Sequence, residues 1–82
     1  MTVRAYLLVE TTAGQDELVL SSVGNNLQNC LARSHRFNPS EVIVDLACTA
    51  LEDLHRAIAL DIPSKEGVTR VTPLAVTSEK NA

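Results

Sequence analysis

With 82 residues, ten acidic and seven basic for a formal charge of -3, the chain is one domain with a single modest core, near the size at which a partner subunit is often needed. A composition of 45% apolar and 21% charged residues excludes a disordered chain. The absence of any Lys or Arg run removes the clustered positive charge of a duplex-binding surface, so no direct nucleic-acid contact is expected.

The first apolar run, Ala5 to Val9, is too short for a signal-peptide core or a membrane span, and the expectation is a cytoplasmic protein with no membrane contact. Val3 to Glu10 reads as a strand, with Val3, Ala5, Leu7 and Val9 on one face and Tyr6 and Leu8 on the other. A strand apolar on both faces belongs in a sheet covered on both sides. Only two helices follow, enough for one side, so the second side calls for another subunit.

Thr12 and Gln15 have the spacing of a capping box, and a helix is expected over 14–28, with Leu20, Val23 and Leu27 on one stripe and a weak end at Gly24-Asn25-Asn26. Cys30 to Phe37 reads as a second strand of mixed polarity, suited to a sheet edge. Asn38-Pro39-Ser40 is a turn, and Glu41 to Cys48 is a third strand with Val42, Val44, Leu46 and Cys48 in phase and Ile43 opposite. A second capping-box spacing, Thr49 and Glu52, precedes a helix whose stripe is Leu51, Leu54, Ile58 and Ile62. Pro63 ends it. Val68 to Thr77 is the last strand, where Pro73 implies an edge or a bulge because it cannot donate to the ladder. Residues 1–77 thus form one unit and 78–82 a loose tail. The order predicts a ferredoxin-like βαββαβ α+β sandwich, a four-stranded antiparallel sheet with both helices on one face and the first and third strands central.

At this point a family likeness appears. Ala5-Tyr6-Leu7-Leu8-Val9-Glu10-Thr11 followed by Gly14, then the Leu54 to Ile62 helix, then Gly67-Val68-Thr69-Arg70-Val71-Thr72, resembles the effector-binding (RAM) domain of the Lrp/AsnC transcription regulators over about Ala5 to Val76. The resemblance implies a subunit that pairs through its sheet into a dimeric α/β barrel, with dimers assembling into higher oligomers. It also implies an amino acid or similar small metabolite bound at subunit interfaces, near the turn between the second and third strands. Family members commonly carry an N-terminal DNA-binding module; here the first strand begins at Val3, so the chain resembles the stand-alone form, which can co-assemble with full-length regulators. Where the family commonly has glycine at that turn, this chain has Phe37-Asn38-Pro39-Ser40-Glu41, without glycine's backbone freedom.

Candidate binding residues gather around that turn and its strand: Arg33, His35, Arg36, Asn38 and Ser40, with Thr12 and Gly14 added because a helix start can receive an anion. Asp45, between Ile43 and Ala47, is an interface carboxylate facing away from Val44. His35 and His55 stand on different elements without ligand-spaced partners, so neither a metal nor a cofactor is expected. Cys30 and Cys48 flank Pro39 at nine residues on either side, which sets them opposite one another in a hairpin centred there; with no C-x-x-C pair and a reducing compartment, free structural thiols are the expectation, and a cross-strand disulfide is the lesser alternative. The function this reading implies is non-enzymatic: a ligand-sensing, oligomerising domain. The alternative is a small cofactor-free enzyme of the dimeric α+β barrel type, with Asp45 or His35 in a cavity.

Overall fold

The computed structural model describes residues 2–25 and 27–79. Its elements are β1 (Thr2–Thr11), α1 (Asp16–Ser22), β2 (Cys30–Asn38), β3 (Glu41–Cys48), α2 (Leu51–Arg56) continued by a π-helical segment (Ala57–Asp61), and β4 (Val68–Glu79). The strands form one antiparallel sheet in the order β2-β3-β1-β4. This is an α+β architecture of four antiparallel strands and two helices, compatible with a ferredoxin-like fold. Among the described residues, no helix is long and apolar enough to cross a membrane.

Period-two alternation in β1 and β3 creates the core. Val3, Ala5, Leu7 and Val9 stand in register with Cys48, Leu46, Val44 and Val42, and all eight are buried. Val19 and Val23 from the α1 turn, Leu54 of α2, and Ala57 and Ile62 close over them in one cluster. The odd-numbered residues of β1 and the even-numbered ones of β3 therefore face the helices, and the intervening residues form a second, open face.

The first helix is shorter than the spacing predicts, and both begin later. Gly14 has φ +84°, a left-handed conformation incompatible with a helix already running at that position. The Thr12–Gln15 box accordingly does not form; Gln15 takes the cap position with no side-chain cap bond. Thr49 is likewise withheld from capping, because its amide donates to Asn29 O at 3.0 Å and prolongs the β2–β3 ladder; Ala50 becomes the cap, again without a side-chain bond. After Arg56 the Ile62 amide donates to Ala57 O, an i+5 bond that turns Ala57 and Ile62 toward the core together. The expected stripe shifts with it: Leu54, Ala57 and Ile62 are buried, whereas Leu51 is half exposed.

At the far edge, β4 pairs with β1 with a register shift between Leu7↔Pro73 and Tyr6↔Ala75, so Leu74 is the extra residue beside the proline. The strand continues to Glu79, two residues past the predicted end; the rest of the expected tail, 80–82, lies outside the described residues. At the other edge, Cys30 and Cys48 are opposed across β2 and β3 and joined by a disulfide. The expectation of free thiols is corrected here: the neighbouring Asn29–Thr49 positions are hydrogen-bonded, which makes Cys30↔Cys48 a non-hydrogen-bonded pair, the kind that brings side chains closest.

Two predictions follow from these constraints. Gly67 has φ +90°, and a Cβ there would lie 3.0 Å from Gln15 Cβ, so Gly67→Ala is expected to lower stability by about 2 kcal/mol in urea unfolding; an unchanged midpoint contradicts this. The bridge closes an 18-residue separation, and replacing both cysteines by serine is expected to lower stability by about 3 kcal/mol, while the untreated chain, denatured and alkylated, shows no free thiol by mass.

Candidate ligand site on the open sheet face

The open face is laid out by strand register. Across β2, β3 and β1 its rows are Leu31, Ala47, Arg4; then Arg33, Asp45, Tyr6; then His35, Ile43, Leu8. Tyr6 is 41% exposed and Leu31 80%, values that mark an apolar area left to solvent on the side away from the helices. Arg33 and His35 are both exposed on this face, one pleat apart on the edge strand.

Arg36 belongs to the other face. Its Nε lies 2.6 Å from Asp16 Oδ2, and its Nη2 donates to Glu17 Oε1 at 3.2 Å. Asp16 is 6% exposed, so the guanidinium compensates an almost buried carboxylate while tying β2 to the start of α1. Those two acidic side chains also occupy the electropositive end of α1. Thr12 and Gly14, proposed for anion capture at that end, instead form the connecting loop: Thr12 N donates to Gly67 O at 2.9 Å, and Gln15 N to Thr12 O at 2.9 Å.

Asn38 and Ser40 are used within their own turn. Asn38 Oδ1 accepts from Ser40 N at 2.9 Å and from Ser40 Oγ at 3.2 Å, while Asn38 Nδ2 donates to Glu41 Oε1. This Asx-type closure supplies the turn geometry that glycine would otherwise give. Ser40 O also accepts from Thr11 N at 2.8 Å, which brings the β2–β3 turn beside the β1–α1 loop. The seven candidates thus fall into two sets, Arg33 and His35 on the open face, and Arg36, Asn38, Ser40, Thr12 and Gly14 in the contacts and loops of the opposite layer and the sheet end.

Four residues outside that list complete the open-face site. A hollow of about 80 Å³ is bounded by Arg4, Leu31, Arg33, Asp45 and Ala47. It adjoins a groove of about 340 Å³ that runs past Leu31 and Ala47 to Asn29, the Cys30–Cys48 bridge and Thr49. Asp45 Oδ1 is buried without a hydrogen-bond partner. The alternation of β3 already put Asp45 and Ala47 on this face; that Ala47 leaves a gap depends on Leu31 and Arg4, its neighbours on two other strands. Among the described residues no cluster of three His, Cys, Asp or Glu side chains is placed to hold a metal ion. His55 is exposed on α2.

Fold and face together define an α+β protein whose antiparallel sheet, among the described residues, is covered on one side only. Comparison of the chain with protein-family models, with curated proteins and with solved structures finds no match in any of the three.

The opposite fates of two arginines on one strand give a direct check. Arg36→Gln leaves Asp16 buried without its counter-charge and is expected to reduce stability by about 1–3 kcal/mol, whereas Arg33→Gln, on the exposed side, is expected to stay within about 0.5 kcal/mol of the parent. Equal effects in denaturant titration contradict the assignment of the two faces.

Proposed function

We propose that this chain is a ligand-sensing and oligomerisation domain of the stand-alone RAM type, a ferredoxin-like subunit that pairs through its open sheet face into a dimeric α/β barrel and binds an amino acid or similar small metabolite at the subunit interface. The observation that carries the reading is the open face itself: Tyr6, Leu8 and Ile43 along its middle, Leu31 at its β2 side, and none of the described elements over them. A second copy would bury that face. The matching sheet of a full-length Lrp/AsnC regulator would do the same, giving a route to transcriptional control without a DNA contact of the chain's own.

The space between sheet and helices favours binding over catalysis. It is filled by Leu7, Leu46, Leu54 and Ile62 at 0% exposure, and both concavities lie outside it. A ligand in this reading sits where subunits meet.

Two measurements check the proposal. In sedimentation equilibrium the chain is expected as a dimer or larger, and Ile43→Lys, which sets a charge in the middle of the open face, as a folded monomer; a parent chain that stays monomeric contradicts the pairing. In thermal melts across the common amino acids at millimolar concentration, a ligand that binds the native state raises the melting temperature, and no rise with any of them contradicts the sensing role.

A further inference from the structure

The bridge between Cys30 and Cys48 joins two residues that differ in access. Cys48 is 1% exposed within the core cluster, whereas Cys30, on the edge strand β2, is only partly buried. Both line the groove of about 340 Å³ that passes Leu31 and Ala47. Its remaining residues, Thr2, Asn29 and Thr49, stand at the start of β1, before β2 and after β3, so the groove reaches the end of the sheet. None of its lining residues is charged, and no lining carboxylate therefore repels an incoming thiolate. The chain has two cysteines, both in the bridge, so a thiol that exchanges with it comes from outside. The polar ties of β2, from Ser34 to Leu20 O and from Arg36 to Asp16 and Glu17, lie further along the strand. Together with the β2–β3 ladder they keep the strand in place when the bridge opens, and the two sulfurs stay opposite and able to close again.

We propose that this bridge is an exchange site for a low-molecular-weight thiol, with Cys30 as the residue that becomes S-thiolated. Exchange begins when a thiolate attacks one sulfur of a disulfide, and access helps decide which. The incoming sulfur bonds to Cys30 Sγ as the Cys30–Cys48 bond breaks; the electron pair passes to Cys48 Sγ, which takes a proton from water. A second molecule of thiol attacks the sulfur of the first and leaves with it as the symmetric disulfide, while Cys30 Sγ is released as a thiolate and protonated. In sum, two external thiols are oxidised and the bridge is reduced. Attack on Cys48 is closed off by its burial. A thiolate left there is disfavoured by its apolar surroundings, which slows opening and drives Cys48 back onto Cys30. The chain therefore rests in the bridged state unless thiol is in excess. The chemistry needs one chain only and is independent of the pairing and sensing proposed above.

Glutathione is the probe. The intact folded chain is held in graded ratios of reduced to oxidised glutathione, quenched with acid and analysed by mass, with peptide mapping of any adduct. The bridge is expected to open without denaturant as the reduced form rises, with a glutathione adduct on Cys30 at intermediate ratios. Opening only in denaturant, an adduct on Cys48, or no adduct at any ratio overturns the proposal. The single variants give a second readout, each checked for its fold by its melting profile. Treated with oxidised glutathione, Cys48→Ser, which keeps the accessible Cys30, is expected to be modified at least about 10-fold faster than Cys30→Ser, which keeps the buried thiol. Equal rates in two folded variants overturn the assignment of Cys30, and the parent chain alone decides the matter where a variant does not fold.

Discussion

Val3, Ala5, Leu7 and Val9 of β1 lie against Cys48, Leu46, Val44 and Val42 of β3, and this buried block is the constraint on which the remaining structure depends. Burying a large aliphatic side chain is favourable by about 1.5–3 kcal/mol, so a slip of one residue between these strands, which would turn a whole set of them to solvent, is strongly opposed. The same alternation that drives four residues of each strand toward the helices sends Arg4, Tyr6, Leu8, Ile43, Asp45 and Ala47 the other way. The open face is thus a consequence of the core. Its composition, apolar at Leu8 and Ile43 yet charged at Asp45, suits neither free solvent nor a helix layer as well as it suits another face of mixed character.

The edge strand β2 is held differently. Its inward side chains include Ala32 and Ser34, which are small and only partly buried, and offer little apolar area to the core. Covalent and polar ties take over: the bridge to Cys48, the Arg36 pairs with Asp16 and Glu17, and the Ser34 hydroxyl donating to Leu20 O at 3.1 Å. With that side of the strand occupied by structural ties, Arg33 and His35 on its outer side carry no such duty. A strand anchored by one face can present the other.

The strands, their central and edge positions and the composition of the core were legible because period-two patterning is local and Pro73 and the Asn38-Pro39 turn punctuate it. The helices were less so. Capping-box spacing at Thr12–Gln15 and Thr49–Glu52 describes a local preference, and at both places a longer-range demand prevails: a left-handed Gly14 in the loop that reaches Gly67, and the Thr49 amide taken by Asn29. The π-helical segment moved the buried stripe off Leu51 for a reason no regular 3.6-residue template contains. At the site, alternation already separated Arg33 and His35 from Arg36, but the destination of Arg36 required a contact with Asp16 on another element. Cys30 and Cys48 are symmetric about Pro39 in the sequence, and this hairpin geometry, not the redox compartment, decides their bridged state in the structure. The hollow over Ala47 and the orphaned oxygen of Asp45 belong to three strands at once and have no one-dimensional signature.

The central claim is that two copies meet through the open faces of their sheets. Isotope-filtered NOE spectra of a mixed sample, half ¹³C-labelled and half unlabelled, test it most directly. The account predicts intermolecular contacts among Tyr6, Leu8 and Ile43, with the methyls of Val19 and Leu54 showing only intramolecular ones; intermolecular contacts confined to the helix layer, or none at concentrations where the chain is associated, would contradict it.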